Sequence, residues 1–230
     1  MAKYDRQLII VFLTHSAQDT PTLAQARALN EKERDEMIDS EIVTIRSSAP
    51  PTRAFVEADV EDLRQALVGR SRVSRSITAS SRVYLVGTGD WQRRTLSAWS
   101  PEEVADLLGQ ENTPAVKVIS IVGDCLGRGG TASTEPEQPE CIDSFAALFH
   151  RRLKDVWQIR TLVHARVLQV TVVLPSTDFP PVADTPASGQ KVTLVDGETI
   201  DETRSRGHHR PHSKVKFRWE GEAQRVEWAY

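Results

Sequence analysis

The segment Gln7–Leu13, QLIIVFL, constrains this chain more than any other. After its first residue it shows no polar alternation, so it cannot be a strand with one wet face. Such a run is a strand buried on both sides. A strand is buried that way only inside a sheet covered by helices above and below, so the chain must supply those helices. It does. Thr20 and Pro21 offer a cap and a first-turn proline ahead of LAQARALNEKERDEMI, a run of strong helix formers. Glu41–Ile45 reads as a short strand, Val56–Leu67 as a helix and Arg82–Val86 as a third strand. Ser100-Pro101-Glu102-Glu103 has the form of a capping box, opening a helix over Pro101–Leu108 with Val104, Leu107 and Leu108 on one face. Ala115–Val122 reads as a fourth strand and Arg160–Ala165 as a fifth. Between them Cys141–Val156 forms a helix with Phe145, Leu148, Phe149 and Leu153 at core spacing. The fold class this predicts is α/β, a mostly parallel sheet sandwiched by helices.

After residue 165 the pattern changes. Val167–Leu174 alternates, and a proline-rich stretch follows. Lys191–Val195, Lys214–Trp219 and Arg225–Trp228 then read as short strands with Asp196-Gly197 and Glu220-Gly221 as turn signals. Residues 1–165 are therefore expected to form the α/β core and residues 166–230 a C-terminal antiparallel β-flap of the same structural domain. Gly127–Glu140, rich in Gly, Thr, Pro and Glu, is expected to be a long exposed loop.

No apolar run approaches the roughly 20 residues that a membrane helix needs. The apolar core of the N-terminus, Leu8–Leu13, is too short for a secretory signal and no small-residue cleavage site follows it. Two cysteines, Cys125 and Cys141, make no disulfide scaffold and no CxxC metal pair, and they suggest a reducing compartment. The net charge of -3 hides an asymmetry. Residues 204–218 carry Arg204, Arg206, Arg210, Lys214, Lys216 and Arg218 with no acid, which leaves the rest of the chain strongly acidic. An anion site is expected there. One short basic run on an acidic chain argues little for nucleic acid, although His208, His209 and Trp219 could stack on bases.

In an open parallel sheet, chemistry collects at the carboxyl ends of strands. Two strands here end in glycine turns, YLVGTGD at 84–90 and ISIVGDCLGRGG at 119–130. Gly87, Gly89 and Gly123 let the backbone turn sharply and approach a substrate. Cys125, just past a buried strand, is a candidate nucleophile if a base lies nearby. The alternative is an ordinary strand-to-loop turn with Cys125 as a small packed residue. His15, His150 and His164 are the histidines that a base could come from.

The segment RVYLVGTGDWQRRTLSAWSPEEVADLL resembles the stretch that carries the catalytic His in the self-cleaving cysteine protease domains of large bacterial toxins, namely the multifunctional autoprocessing RTX toxins and the large clostridial glucosylating toxins. AVKVISIVGDCL resembles the family's second motif, a strand ending in Val-Gly-Cys. GQKVT at 189–193 and SKVKFRWEG at 213–221 resemble segments of its β-flap and last strand. The matches run in order from about residue 80 to 221. They imply a caspase-like α/β sandwich in a bacterial toxin or effector, exported to act in a host cytosol on a self or host protein.

The departures fall on the chemistry. Thr88 stands where the family has its His, and Asp124 where it has its Cys, with Cys125 one residue later. A threonine hydroxyl is no general base near neutral pH, whereas imidazole is. Three explanations stay open. The domain is a pseudoenzyme, or a diverged enzyme that uses Cys125 or Asp124 with another partner, or a chain substituted to trap it. The first predicts no cleavage of itself or of a Leu-containing peptide. If the chain is active, Cys125 is the attacking thiolate and the Gly123–Cys125 turn supplies the oxyanion donors. The resemblance also implies activation by inositol hexakisphosphate, with Arg82, Lys191 and Lys214 on family positions for that anion and Gln190 replacing an Arg. Strand alternation puts Lys216 and Arg218 on the side of Lys214. The competing reading of Lys214–Arg218 is the solvated face of an edge strand. No metal is implied.

Overall fold

The structure is a computed structural model that describes residues 4–14, 19–35, 38–48, 54–69, 76–129, 141–167, 169–173, 190–194 and 214–228. A seven-stranded sheet forms the centre. Its strands are β1 (Arg6–Leu13), β2 (Asp39–Arg46), β3 (Arg82–Val86), β6 (Val118–Val122), β7 (Leu162–Arg166), β10 (Lys214–Glu220) and β11 (Ala223–Trp228), in the order β11-β10-β7-β6-β3-β1-β2. The five strands from β2 to β7 run parallel, and β10 and β11 run antiparallel at one end. This is the mostly parallel α/β architecture expected from the sequence. Every residue of β1 is buried, as its unbroken apolar run requires.

The helices are α1 (Asp19–Asp35), α2 (Glu57–Val68), α3 (Pro101–Gln110) and α4 (Phe145–Asp155). The chain steps outward from β1 to β2, then doubles back across β1 to β3 and continues to β6 and β7. Right-handed crossovers place helices on opposite faces when the direction reverses. So α1 stands on one face, against Ile9, Val11, Tyr84 and Val86. The larger core lies on the other face, where Leu8, Ile10, Phe12, Leu85, Ile119 and Val163 meet side chains of α2, α3 and α4. At roughly 1.5–3 kcal/mol for each large apolar side chain fully buried, this core is the main source of stability. It ends with Phe217 of β10, which is wholly buried.

Local signals set the boundaries. Ser100 and Glu103 form the expected reciprocal capping box with Pro101 at the first helical position. The helix expected to start at Cys141 starts instead at Phe145, because the Ser144 side chain accepts from the Ala147 N–H and fixes the N-terminus there. Two short strands, β4 (Gly89–Asp90) and β5 (Thr95–Leu96), form a small hairpin that lacks the apolar alternation by which strands are read.

The C-terminal strands divide. β8 (Gln169–Val173) and β9 (Gln190–Leu194) pair antiparallel as a separate two-stranded sheet and lie against α1. β10 and β11 form a hairpin, but β10 also pairs with β7 and so extends the main sheet. β10 is thus an interior strand, which removes the edge-strand explanation of Lys214–Arg218. Leu126 is buried and Gly127 packs on Val215, so the segment expected to be an exposed loop begins inside the fold. Among the described residues, no helix is long and apolar enough to cross a membrane.

Candidate functional site

The tips of β3 and β6 stand side by side. The two strands pair in parallel with Val86 beside Val122, and the Gly87 N–H donates to the Val122 carbonyl at 3.1 Å. The glycines past those ends are required by contact. A Cβ on Gly123 would stand 3.0 Å from the Gly87 carbonyl oxygen. One on Gly89 would stand 2.3 Å from the Asp124 carbonyl oxygen and 2.4 Å from its nitrogen. The two turns therefore touch backbone to backbone, which sets Thr88 next to Asp124 and Cys125. The pair lies one strand from the point between β1 and β3 where the strand order reverses, the usual place for a crevice in an open α/β sheet.

Thr88 is held by its backbone. Its N–H donates to the Ser97 hydroxyl at 3.0 Å, its carbonyl accepts from the Ser97 N–H at 2.7 Å, and the same hydroxyl donates to the Phe12 carbonyl at 2.7 Å. Ser97 thereby joins the tip of β1 to the tip of β3 through the β4–β5 hairpin. That hairpin is pinned in turn. The Arg94 guanidinium pairs with Asp143, and the Arg128 guanidinium lies 4.7 Å from the Trp91 ring. Cys125 is half-buried and sits at φ 56°, in the left-handed region that costs a side-chain-bearing residue about 1–2 kcal/mol. Residues held in such a conformation cluster at functional turns.

The chemistry at the tips is poor in bases. Thr88 supplies a hydroxyl and Asp124 a carboxyl. His150 of α4 is wholly buried, with Nε2 2.9 Å from the Thr161 carbonyl and Nδ1 2.8 Å from the Gln224 amide nitrogen. The first contact makes Nε2 the protonated nitrogen, and the second makes Nδ1 an acceptor. Burial pulls this imidazole down to about 4, and Trp219 stacks on it at 4.7 Å. His150 is therefore a neutral core histidine. Cys141 is buried, and burial pushes its thiol up to about 12, so it is no thiolate source. His164 lies on β7 in register with Ser120 and Lys216, with both ring nitrogens shielded from solvent. His15, His208 and His209 lie outside the described residues, as do Arg204, Arg206 and Arg210.

The basic residues show a clearer pattern. Strand register puts Tyr84, Ser120, His164 and Lys216 in one row across β3, β6, β7 and β10, and Lys214 beside Arg166 in the next. Alternation then places Arg82, Arg166, Lys214, Lys216 and Arg218 on one face of the sheet. This is the face of α1, but α1 sits over the β1–β2–β3 end, and no described helix covers the β6–β7–β10 end. The Arg82 guanidinium lies 4.3 Å from the Tyr84 ring and 5.0 Å from the Tyr4 ring, and it donates to the Ser120 hydroxyl at 3.2 Å. Burial lowers Arg166 to about 10, which leaves it charged at neutral pH. Ser120, His164, Arg166 and Lys214 line a shallow cleft. Arg218 is exposed and pairs with Glu227. Lys191 lies on β9 in register with Val172, in the hairpin that packs on α1.

Arg166, Ser120 and Ser97 are the site residues that sequence reasoning did not single out. The signal for Arg166 was present, since it follows His164 by two on a strand and so shares its face. Nothing in the sequence marks Ser97, because its role depends on β1 reaching it across 85 residues of chain.

No protein-family model matches the chain, and no curated protein does. Among solved structures it is similar to the inactive zymogen of a C11 protease from Parabacteroides distasonis, with 11% identity over 74% of this chain and 50% of that one, at a TM-score of 0.39. It is similar also to iotapain, a secreted C11 cysteine protease from Bacteroides thetaiotaomicron, with 10% identity over 72% of this chain and 53% of that one, at a TM-score of 0.38. The chain spans about half the length of these two proteins. At such TM-scores the likeness says nothing about reaction or ligand, and function rests on the geometry above.

Proposed function

We propose that this chain is a caspase-like cysteine-peptidase-type domain that has lost proteolysis and binds a compact polyphosphate, inositol hexakisphosphate being the candidate. One observation carries the reading. Arg82, Lys214 and Lys216 project from strands of the main sheet, with Arg166 buried among them, onto the half of a sheet face that no described helix covers. Phosphate oxygens are held by convergent guanidinium forks and ammonium point charges. The cleft beside Arg166 and Lys214 is shallow, so the ligand lies across the face rather than inside it. The loss of proteolysis is supported by Thr88 and Asp124 at the strand tips and by the engagement of both His150 nitrogens in the core.

The test is thermal unfolding of the full chain with inositol hexakisphosphate, beside a Lys214→Ala/Lys216→Ala variant. The ligand should raise the midpoint of the wild type, less so as salt is added, and leave that of the variant where it was. An unmoved wild-type midpoint would sink the binding reading. Hydrolysis of a Leu-containing peptide should be undetectable with or without the ligand.

A second reading has one observation behind it, the left-handed backbone at half-buried Cys125. In that reading the Cys125 thiolate attacks the scissile carbonyl, and the turn's N–H groups receive the oxyanion. Rapid covalent labelling of Cys125 by a peptidyl electrophile would favour it over the first.

A further inference from the structure

Arg82 and Lys216 are half-buried cations of the basic face, and among the described residues neither has a carboxylate partner. Arg218, by contrast, is taken up by Glu227. The two stand on β3 and β10, three strands apart in the sheet order. Neighbouring strands lie about 4.8 Å apart, so an arginine standing over its own strand would leave about 14 Å to Lys216. Register adds to that gap. Arg82 is level with Val118, whereas Lys216 is level with His164 and Ser120, two residues further along.

The Arg82 side chain does not stand over its own strand. Nη2 donates to the Ser120 hydroxyl at 3.2 Å, which carries the guanidinium onto β6 and up to the row of Lys216. Two strand spacings then remain, about 10 Å. A single hydrogen bond is a weak restraint on a side chain with the rotamer freedom of arginine. The rest of the restraint is aromatic. The guanidinium lies over the Tyr84 ring at 4.3 Å and over the Tyr4 ring at 5.0 Å, both within cation–π range. Tyr84 belongs to the strand that carries Arg82. Tyr4 does not. It precedes β1, it is buried, and its ring also takes the Lys117 ammonium at 5.5 Å. Lys117 precedes β6, so the Tyr4 ring reaches from the start of β1 past β3 to the start of β6.

We propose that Tyr4 is a positioning and specificity-determining residue of the anion site, holding the Arg82 guanidinium over β6 so that one compact polyphosphate meets Arg82 and Lys216 together. This rests on the reading of the face as an anion site. It adds the device that suits the face to a ring of phosphates, since a freed Arg82 would leave the two cations too far apart for a compact ligand. A linear polyphosphate can follow a displaced guanidinium, and a ring cannot.

Isothermal titration calorimetry of the full chain at fixed salt tests this, with inositol hexakisphosphate and a long linear polyphosphate as probes. Arg82→Gln should weaken binding of the ring about tenfold, and Tyr4→Leu about three- to tenfold. Tyr4→Phe keeps the ring of the side chain and should bind as the wild type does. In the Arg82→Gln background Tyr4→Leu should cost no more than about twofold further, because Tyr4 acts through Arg82. Tyr4→Leu should also weaken the linear probe less than the ring. Losses that simply add, equal losses for the two probes, or a Tyr4→Phe as weak as Tyr4→Leu would show that Tyr4 only supports the fold, and each overturns the proposal. Should Tyr4→Leu impair folding, judged by circular dichroism, Ser120→Ala replaces it. It should weaken ring binding and be nearly silent in the Arg82→Gln background, and an additive loss there overturns the proposal in the same way. If Lys214→Ala/Lys216→Ala loses the ligand while Arg82→Gln keeps it, the anion site stands and the role of Tyr4 falls. A wild type that binds neither probe overturns the anion site, and the role of Tyr4 with it.

Discussion

Gly89 lies so close to Asp124 that a Cβ on the glycine would meet the aspartate's carbonyl oxygen at 2.3 Å. Backbone of the β6 turn cannot retreat as a flexible side chain would, because the Gly127 N–H ties that turn to the Arg166 carbonyl at 2.7 Å. Gly89→Ala should therefore cost about 1–3 kcal/mol, the usual penalty for overpacking, read as a lower urea midpoint with the slope unchanged. An unchanged midpoint would mean that the tips of β3 and β6 are farther apart than described.

Ser97 joins three segments through one hydroxyl, which accepts from the Thr88 N–H and donates to the Phe12 carbonyl. Ser97→Ala leaves that buried donor and acceptor without this partner, a loss of about 1–3 kcal/mol. Combined with Gly89→Ala, the loss should depart from the sum of the two, since both residues position the same turn. Denaturant unfolding of the two single variants and the double one measures the coupling.

The sheet was legible because its strands announce themselves. The unbroken run of β1 and the capping box of α3 depend on nearest neighbours alone, and both fold as read. The two glycine turns were legible as well, each at the end of a strand, whereas their contact was not. What could not be read is pairing across long separations. That β10 joins β7, and so turns Lys214 and Lys216 toward Arg82 and Arg166, follows from register set by the whole core. The same pairing fills the core with Phe217 and makes β11, not β10, the edge. The β4–β5 hairpin lay below the threshold of pattern, two residues on each side with Ser97 in a left-handed conformation.

The two cysteines should behave oppositely toward a thiol reagent. Cys125 is half-buried on a surface turn, while Cys141 is buried with its thiol pushed up to about 12. A native sample should release close to one equivalent of chromophore from Ellman's reagent quickly, and the second only in denaturant. Cys125→Ala should abolish the fast phase and Cys141→Ala should keep it. Two equal phases in the native protein would contradict the burial of Cys141.

His150 gives the fold a pH dependence whose sign is fixed by burial. Its imidazole titrates at about 4 in the folded chain because burial outweighs the hydrogen bond to the Thr161 carbonyl, against 6.5 for the ordinary side chain. Between those values the unfolded chain binds a proton that the folded chain does not. Stability is therefore full above pH 6.5 and falls as the pH drops toward 4, by on the order of 3 kcal/mol in all. The paired carboxyls add their losses at lower pH, since Arg152 holds Asp106, and Lys154 holds Glu222, below the usual carboxylate range. His150→Gln retains a donor toward Thr161 but does not titrate. Urea midpoints at pH 7, 6 and 5 should fall steadily for the wild type and stay nearly level for the variant. Parallel declines would show that the proton is taken up elsewhere. The consequence is local, because Gln224 is the residue of β11 that bonds His150. A protonated imidazole has no lone pair at Nδ1 to accept from it, so acid should loosen the β10–β11 hairpin first. Amide exchange at Gln224 and Val226 should accelerate below pH 5 before β1 or β3 exchanges any faster.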